Sequence, residues 1–185
     1  YEGHWLPESF GRPIINRGMT SFMGSVETFI PPEPSVRPQR ILAVASAGGH
    51  WVQLRRMMPA FAGHQIIYAT TMRSLKGDVS DNHCYIVSDA NRRRPIALMR
   101  LVLKTTWIVL RHRPHYVLST GAAPGCIAMM IGKITGAKTI WVDSIANVDR
   151  VSMSGRLSRR FIDLWLTQWP HLAHEQGPYF MGAVI

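Results

Sequence analysis

The sequence predicts a single α/β domain built on a parallel β-sheet, and three observations support this prediction. Short apolar runs rich in β-branched residues alternate with longer segments of helical period, as in repeated strand and helix units. Glycine-bearing polar turns follow two of the predicted strands. The chain has 185 residues, of which 46% are hydrophobic, so it is long enough for one buried core and too short for two domains of ordinary size.

Each element rests on a local signal. Gly63 stops the first predicted helix, and Pro95 opens the second, a position where proline needs no N–H partner. The predicted strands are residues 41–45, 65–70, 84–87, 116–119, 138–142 and 165–167. The predicted helices are residues 52–61, 95–112, 126–135 and 155–163.

The first 38 residues differ from the rest of the chain. They hold six prolines with scattered aromatic residues and no sustained period, which indicates an irregular, Pro-rich leader. We therefore expect a domain boundary at Pro38 and one folded domain over residues 39–185.

Composition limits the class of protein. The formal net charge of +10 indicates an anionic partner: a nucleic acid, an acidic membrane surface or a phosphate-bearing substrate. The chain has two cysteines, Cys84 and Cys126, which are too few and too far apart for a disulfide framework and fit a reducing cytoplasm. The sequence shows neither a membrane-spanning run of about 18 apolar residues nor a signal peptide, so we expect it neither to span a membrane nor to be exported.

Two glycine-bearing turns are candidate anion sites. The first is Ser46-x-Gly48-Gly49-His50 and the second runs from Gly121 through Pro124 to Gly125. Glycines between a strand and a helix let the backbone approach phosphate oxygens, although the same pattern also occurs in plain turns. Neither turn fits G-x-G-x-x-G, which disfavours a dinucleotide enzyme.

His50 is the candidate catalytic residue. An imidazole at a helix N-terminus near the carboxyl edge of a sheet is placed to act as a general base on a hydroxyl nucleophile. The alternative is a capping or core histidine with no role in chemistry.

The helix predicted over residues 95–112 carries a cationic stripe. Arg100, Lys104 and Arg111 share one narrow face, Arg93 lies in line just upstream, and Trp107 is on the same helix. Basic side chains and a tryptophan on an otherwise apolar helix are typical of an element at a membrane interface. The alternatives are an ordinary solvated helix face and a nucleic-acid surface, but no DNA- or RNA-binding motif accompanies the charge.

A dense polar block follows the strand at residues 138–142. Asp143, Ser144 and Asn147 lie in it, where open α/β sheets place polar groups beyond the carboxyl ends of their strands. We therefore expect a functional cleft there.

Taken together, these motifs resemble the membrane-anchoring, acceptor-binding subunit of the split UDP-N-acetylglucosamine transferase of lipid-linked oligosaccharide synthesis. The similarity looks closest to its bacterial PssD/EpsE-type exopolysaccharide branch and covers residues 39–185. The motifs that carry it are Ser46-x-Gly48-Gly49-His50, Ser119-Thr120-Gly121 to Gly125, Trp141-Val142-Asp143-Ser144 with Asn147-Val148, Ser152-x-Ser154-Gly155-Arg156-Leu157, and Thr167-Gln168-Trp169-Pro170.

The resemblance implies a Rossmann-like α/β domain equivalent to the N-terminal half of a GT-B glycosyltransferase such as MurG. It implies that a separate small subunit binds the UDP-sugar donor and that this chain binds a polyprenyl-diphosphate-linked acceptor. The residues implied for the acceptor diphosphate are Ser46, Gly48, Gly49, Gly121, Pro124 and Gly125, and those implied for the intersubunit cleft or the partner are Asp143, Ser144, Asn147, Gln168 and Trp169.

The resulting hypothesis is a subunit of an inverting glycosyltransferase, peripheral at the cytoplasmic face of the plasma membrane and inactive without its partner. We expect no cofactor besides the donor substrate, and no metal, because no carboxylate and histidine cluster has ligand spacing. The alternative is a non-catalytic scaffold that recruits a complete catalytic subunit to the membrane. A basic nucleic-acid-binding protein is a third possibility.

Overall fold

The computed structural model describes residues 37–74, 79, 83–90 and 94–184. Almost all of the predicted leader, and Arg93 of the predicted cationic stripe, lie outside the described residues. The predicted boundary at Pro38 therefore stays a prediction.

The described residues form a seven-stranded sheet in which every neighbouring pair is parallel, in the order β3-β2-β1-β4-β5-β6-β7. In register, Ile41 of β1 lies between Ile66 of β2 and Tyr116 of β4. This confirms the predicted α/β class with a parallel sheet. The strands are β1 Arg40–Ala45, β2 Gln65–Thr70, β3 Cys84–Ile86, β4 Tyr116–Ser119, β5 Lys138–Val142, β6 Leu164–Thr167 and β7 Tyr179–Phe180.

Helices connect most of the strands. The α-helices are α1 Gly49–Met57, α2 Pro95–His112, α3 Ala122–Ile134 and α4 Met153–Ser158. Short 3₁₀ turns cover Met58–Phe61, Arg159–Phe161 and Pro170–Leu172.

The sheet has a hydrophobic core on each face. Alternate residues of β1 point to opposite sides: Leu42 and Val44 join the core beneath α2, α3 and α4, whereas Ile41 and Ala43 join the core beneath α1. Strands β2 and β4 lie on opposite sides of β1 in the sheet. Because crossover connections between parallel strands are right-handed, the helix that leads to β2 (α1) covers one face of the sheet and the helix that leads to β4 (α2) covers the other. The direction of winding therefore reverses between β1 and β4, and ligands of open α/β sheets bind beyond the strand ends at this switch point.

Three helix starts differ from the predictions. The first helix begins at Gly49 rather than at residue 52, and the third at Ala122 rather than at residue 126. Glycine and proline suggested loops here, but proline is tolerated in a first helical turn, where its missing N–H has no intrahelical acceptor to lose. The fourth helix begins at Met153 because the Ser152 hydroxyl accepts from Gly155 N at 3.0 Å and caps it.

The prediction also missed strand β7, which has two residues, both exposed. It extended the fourth helix to residue 163, whereas the helical turns end at Phe161. Asp163 instead accepts from Thr139 N at 2.9 Å and joins β5 to the start of β6.

Candidate functional site at the switch point

The turn after β1 presents exposed backbone to solvent. Gly48 has a φ of +81°, which glycine adopts without strain, and its carbonyl accepts from Trp51 N at 3.0 Å to begin α1. No side chain caps this helix, and Gly48 and Gly49 are both exposed. The first N–H groups of α1 have no intrahelical acceptor, so they are available to an anion.

The turn after β4 is bonded to the first turn. Thr120 Oγ1 donates to the carbonyl of His50 at 2.8 Å, and Gly121 N donates to Ser119 Oγ at 3.2 Å. We call residues 46–50 and 119–122 together the switch-point turns. Sequence analysis identified both turns but gave no functional role to Thr120, whose hydroxyl holds them together.

The ring of His50 packs directly against Gly121. A methyl group placed on Gly121 would lie 2.5 Å from His50 Cε1 and 2.8 Å from Nδ1, so only glycine permits this contact. His50 Nδ1 is enclosed and has no hydrogen-bond partner among the described residues. An enclosed and unpaired nitrogen is costly, and such groups often mark functional sites. The capping interpretation of His50 is wrong, because no side chain caps α1.

The predicted second glycine loop is much shorter than expected. Pro124 and Gly125 are buried inside the first turns of α3. A Cβ on Gly125 would lie 2.0 Å from Ser119 Oγ, so this glycine permits close packing of helix on strand. Burial leaves both residues almost no surface for the predicted diphosphate contact. The exposed backbone at the switch point is that of Gly48 and Gly49.

Asp143 organises the polar block after β5, which we call the Asp143 loop (residues 143–152). Its side chain is 2% exposed. Oδ1 accepts from Ser144 N at 3.0 Å and from Asn147 Nδ2 at 2.7 Å, and Oδ2 accepts from Ser152 N at 2.8 Å. A buried carboxylate with three donors is a structural centre of its loop rather than a surface group.

Two buried glutamines attach this loop to the rest of the chain. Gln53 Nε2 and Gln168 Nε2 both donate to the Asp143 carbonyl, at 3.2 and 2.9 Å. Gln168 Oε1 also accepts from Val184 N at 2.8 Å. Both ends of the Gln168 side chain thus form hydrogen bonds within the chain, and the residue is buried. Sequence analysis missed Gln53. The one signal that could have identified it is its place as a polar residue on the inner face of α1.

Trp169 holds the outer side of the same loop. Its Nε1 donates to the carbonyl of Ile145 at 2.8 Å, and the ring of His171 lies 5.9 Å from its own. Trp169 is half-buried, so part of its surface remains available for the predicted partner contact.

The outer face of α2 carries both cations and apolar side chains. Arg100, Lys104 and Arg111 are exposed, as is Trp107 at 52%. Beside them runs an exposed apolar row that consists of Ile96, Met99, Leu103 and Leu110. Exposed apolar residues at helical spacing next to a basic stripe are typical of a surface that contacts lipid.

Two absences concern only the part of the chain that the structure describes. Within residues 37–74, 79, 83–90 and 94–184, no three histidine, cysteine or carboxylate side chains are grouped as metal ligands. No helix among these same residues has the length and apolar character needed to cross a membrane.

Solved structures share this fold. The chain is similar to MurG of Acinetobacter baumannii, with a TM-score of 0.65 and 12% identity over 79% of this chain and 46% of that one. UDP-N-acetylglucosamine 2-epimerase of Rickettsia bellii follows, with a TM-score of 0.61 and 11% identity over 80% of this chain and 45% of that one. The chain thus spans just under half of each structure, which confirms the predicted likeness to one half of a GT-B protein.

Sequence comparisons identify the family. The mouse UDP-N-acetylglucosamine transferase subunit ALG14 is 25% identical over 79% of this chain and 83% of that protein. The human subunit of the same name is 26% identical over 78% of this chain and 82% of that protein. The profile of the family described as "Oligosaccharide biosynthesis protein Alg14 like" matches residues 82–184, more than half of the sequence. The chain therefore belongs to the Alg14-like family of oligosaccharide biosynthesis proteins.

Proposed function

We propose that this chain is the acceptor-binding subunit of a two-chain inverting glycosyltransferase, which transfers a sugar from a UDP-sugar to a polyprenyl-diphosphate-linked acceptor. The observation that carries the proposal is the contact between His50 and Gly121 at the switch point of a sheet that resembles half of MurG. The names of the relatives support a transferase made of subunits. A small partner subunit would bring the UDP-sugar.

The switch-point turns suggest how the acceptor is held. Phosphate oxygens of the acceptor accept hydrogen bonds from the first N–H groups of α1, at the exposed Gly48 and Gly49 turn, with Ser46 beside them. His50 removes the proton from the acceptor hydroxyl as that oxygen attacks the anomeric carbon of the donor and the UDP leaves. The Asp143 loop and Trp169 border the cleft that faces the partner. No metal ion and no cofactor take part in this scheme.

Reconstitution tests the split enzyme. The purified chain should transfer no sugar from UDP-N-acetylglucosamine to a prenyl-diphosphate-linked acceptor, because in this proposal the partner subunit binds the donor. Addition of the partner subunit should produce turnover. Robust transfer by this chain alone would exclude a division of the enzyme into two halves.

The α2 face supports peripheral association with the cytoplasmic face of the plasma membrane. Replacement of Arg100, Lys104 and Arg111 by glutamine should weaken binding to anionic vesicles, because each basic residue near such a surface contributes about 1 kcal/mol. The matched control replaces Arg37, Arg56 and Arg73, which are exposed, lie outside α2 and α4 and give the same change in charge. Equal losses in the two variants would show a general charge effect with no role for α2.

Membership of the PssD/EpsE-type exopolysaccharide branch is a further part of the proposal, and the ordered motifs of residues 39–185 support it. The branch determines the acceptor. A reconstituted complex should therefore prefer the lipid-linked intermediate of an exopolysaccharide over diphosphate-linked N-acetylglucosamine on a eukaryotic lipid. The opposite preference would place the chain with the oligosaccharide branch.

A second candidate function is the non-catalytic scaffold. The three hydrogen bonds to the Asp143 carboxylate favour it, because they hold the loop in one conformation that a partner subunit could contact. The two candidates differ at His50: a scaffold with His50→Ala keeps full turnover once complex formation is verified.

A further inference from the structure

An apolar groove lies on the outer side of the helix layer, between the beginnings of α2, α3 and α4. It has a volume of about 460 Å³. The side chains that form it include Leu98, Ala123, Cys126, Ile127, Met153 and Leu157. None of the described residues that line it is charged, and their polar side-chain groups are the Ser154 hydroxyl and the Cys126 thiol. The side chains of this lining therefore fit a hydrocarbon chain and offer no charge to a polar ligand.

One side of the groove is formed by a switch-point turn. Ala122 lines the groove, and the residue before it, Gly121, packs against the ring of His50. Ala122 has a φ of +66°, in a region that residues other than glycine rarely occupy. Along the chain, the residue that contacts the His50 ring, Gly121, is therefore directly followed by a residue that lines the groove.

The other side of the groove reaches the surface next to the outer face of α2, which carries the exposed cations and the exposed apolar row. Met153 and Leu157 line it and are themselves 61% and 51% exposed. Leu98 comes from α2, one residue before Met99 of the exposed apolar row. Apolar side chains thus line the groove and also occupy the neighbouring outer face of α2, and exposed apolar surface of this kind often marks an interaction site.

We propose that this groove binds the first isoprenoid units of the lipid-linked acceptor. This inference rests on the proposed function and deepens it, because it names the part of the substrate that the groove recognises. The hydrocarbon enters from the membrane between α2 and α4, and it lies against Cys126 and Ile127. The diphosphate then lies at the switch-point turns, and the sugar faces His50. The chain is recognised by apolar contact and the diphosphate by backbone N–H groups.

Cys126 provides a direct test that requires no turnover. It is partly exposed in the groove, whereas Cys84, the other cysteine of the sequence, is buried and serves as an internal reference. The full chain is treated with a maleimide in the presence of geranylgeranyl diphosphate, below the concentration at which it forms micelles, or of inorganic pyrophosphate. Peptide mass spectrometry then gives the rate of alkylation at each cysteine.

We expect geranylgeranyl diphosphate to slow alkylation of Cys126 at least about fivefold and inorganic pyrophosphate to leave it unchanged. Protection by both compounds would show an anion effect at the turn, and protection by neither would show an empty groove. Either of these results overturns the inference.

A second experiment uses the complex with the partner subunit and two acceptors that carry the same diphosphate-linked sugar, one with a prenyl chain and one with a methyl group. Leu157→Asp places a charge in the groove at a position that already tolerates water. We expect it to lower kcat/KM for the prenyl acceptor at least about tenfold, mainly through KM, and to leave kcat/KM for the methyl acceptor within about twofold.

The matched control is Ile134→Asp, because Ile134 is 77% exposed at the far end of α3 and does not line the groove. It should keep the preference for the prenyl acceptor. Equal effects of the two variants, or a preserved preference in Leu157→Asp, would overturn the inference. If the wild-type complex transfers sugar to neither acceptor, the proposed function fails, and Cys126 protection still decides whether the groove binds a prenyl chain.

Discussion

The switch-point turns and the Asp143 loop lie at the same edge of one sheet. The switch-point turns leave hydrogen-bonding groups without partners, whereas the Asp143 carboxylate is fully bonded. In the switch-point turns, the start of α1 has no side-chain cap, two glycines are exposed and His50 Nδ1 has no partner among the described residues. In the Asp143 loop, both carboxylate oxygens are bonded and the Asp143 carbonyl accepts from two buried glutamines.

The difference shows that a dense polar sequence is not in itself a ligand site. The Asp143 loop is dense in polar residues, but its central carboxylate already accepts three hydrogen bonds from within the loop. The switch-point turns have fewer polar residues, but they expose the uncapped start of α1 and contain the unpaired His50 Nδ1. Gln53 Oε1, near the Asp143 loop, also has no partner among the described residues, but Gln53 is buried. A ligand gains most where the protein has left hydrogen-bonding groups unused, which favours the switch-point turns as the site and the Asp143 loop as its support.

The largest expected effect is that of His50→Ala in the complex with the partner subunit. Loss of a positioned base typically costs about 10² to 10⁴ in rate, so turnover should fall at least about a hundredfold while melting temperature and complex formation stay near wild type. His50→Gln should not restore turnover, since an amide does not take up the proton. His174→Ala, at an exposed histidine, is the matched control and should be silent. Near-wild-type turnover in folded His50→Ala would remove His50 from the mechanism.

Asp143→Asn should lower stability and largely preserve turnover, which is the reverse of what we expect for His50→Ala. The amide that replaces one carboxylate oxygen presents N–H to a backbone N–H, and we expect a loss of about 2 kcal/mol in the free energy of unfolding. Chemical denaturation measures this loss. Protein that remains folded should turn over at no less than about a third of the wild-type rate. A hundredfold loss of turnover at unchanged stability would make Asp143 part of the chemistry and would remove the contrast between the two regions.

The smallest effect concerns a second structural carboxylate, Asp163. Burial alone would raise its pKa, but hydrogen bonds from Lys133 and Thr139, together with the Lys133 charge, lower the pKa below its ordinary value of 3.8. Because the pKa of Asp163 is lower in the folded than in the unfolded protein, its ionised form stabilises the fold at pH values above the unfolded pKa. This stabilisation is lost as the pH falls through the pKa of the folded protein.

Asp163→Asn should therefore cost about 1 kcal/mol at neutral pH, and the difference from wild type should close below about pH 4. Denaturation curves at several pH values measure it, with turnover unchanged throughout. A constant difference at all pH values would show that the charge of Asp163 contributes nothing.

Local sequence signals predicted most of the fold. The bounds of β2, α2, β4 and β5 agree with the predictions residue for residue, because each is a strongly apolar segment bounded by proline, glycine or charged residues. The starts of α1 and α3 were placed too late, since glycine and proline that begin a helix look the same in sequence as glycine and proline in a loop. Sequence also identified Gly121 as a candidate phosphate-binding glycine, but it did not show that this residue makes room for the His50 ring.

The sequence by itself thus determined the alternation of strands and helices, the parallel sheet and the exposed basic stripe of α2, because these follow from the period of apolar residues along the chain. Only the tertiary structure decided which polar groups form hydrogen bonds within the chain and which remain without a partner. His50 and Gly121 are 71 positions apart, and Asp143 receives hydrogen bonds from Gln53 and Gln168, 90 and 25 positions away. Pairing over such separations depends on strand order and register, which set the distances between loops and leave no periodic signal in the chain.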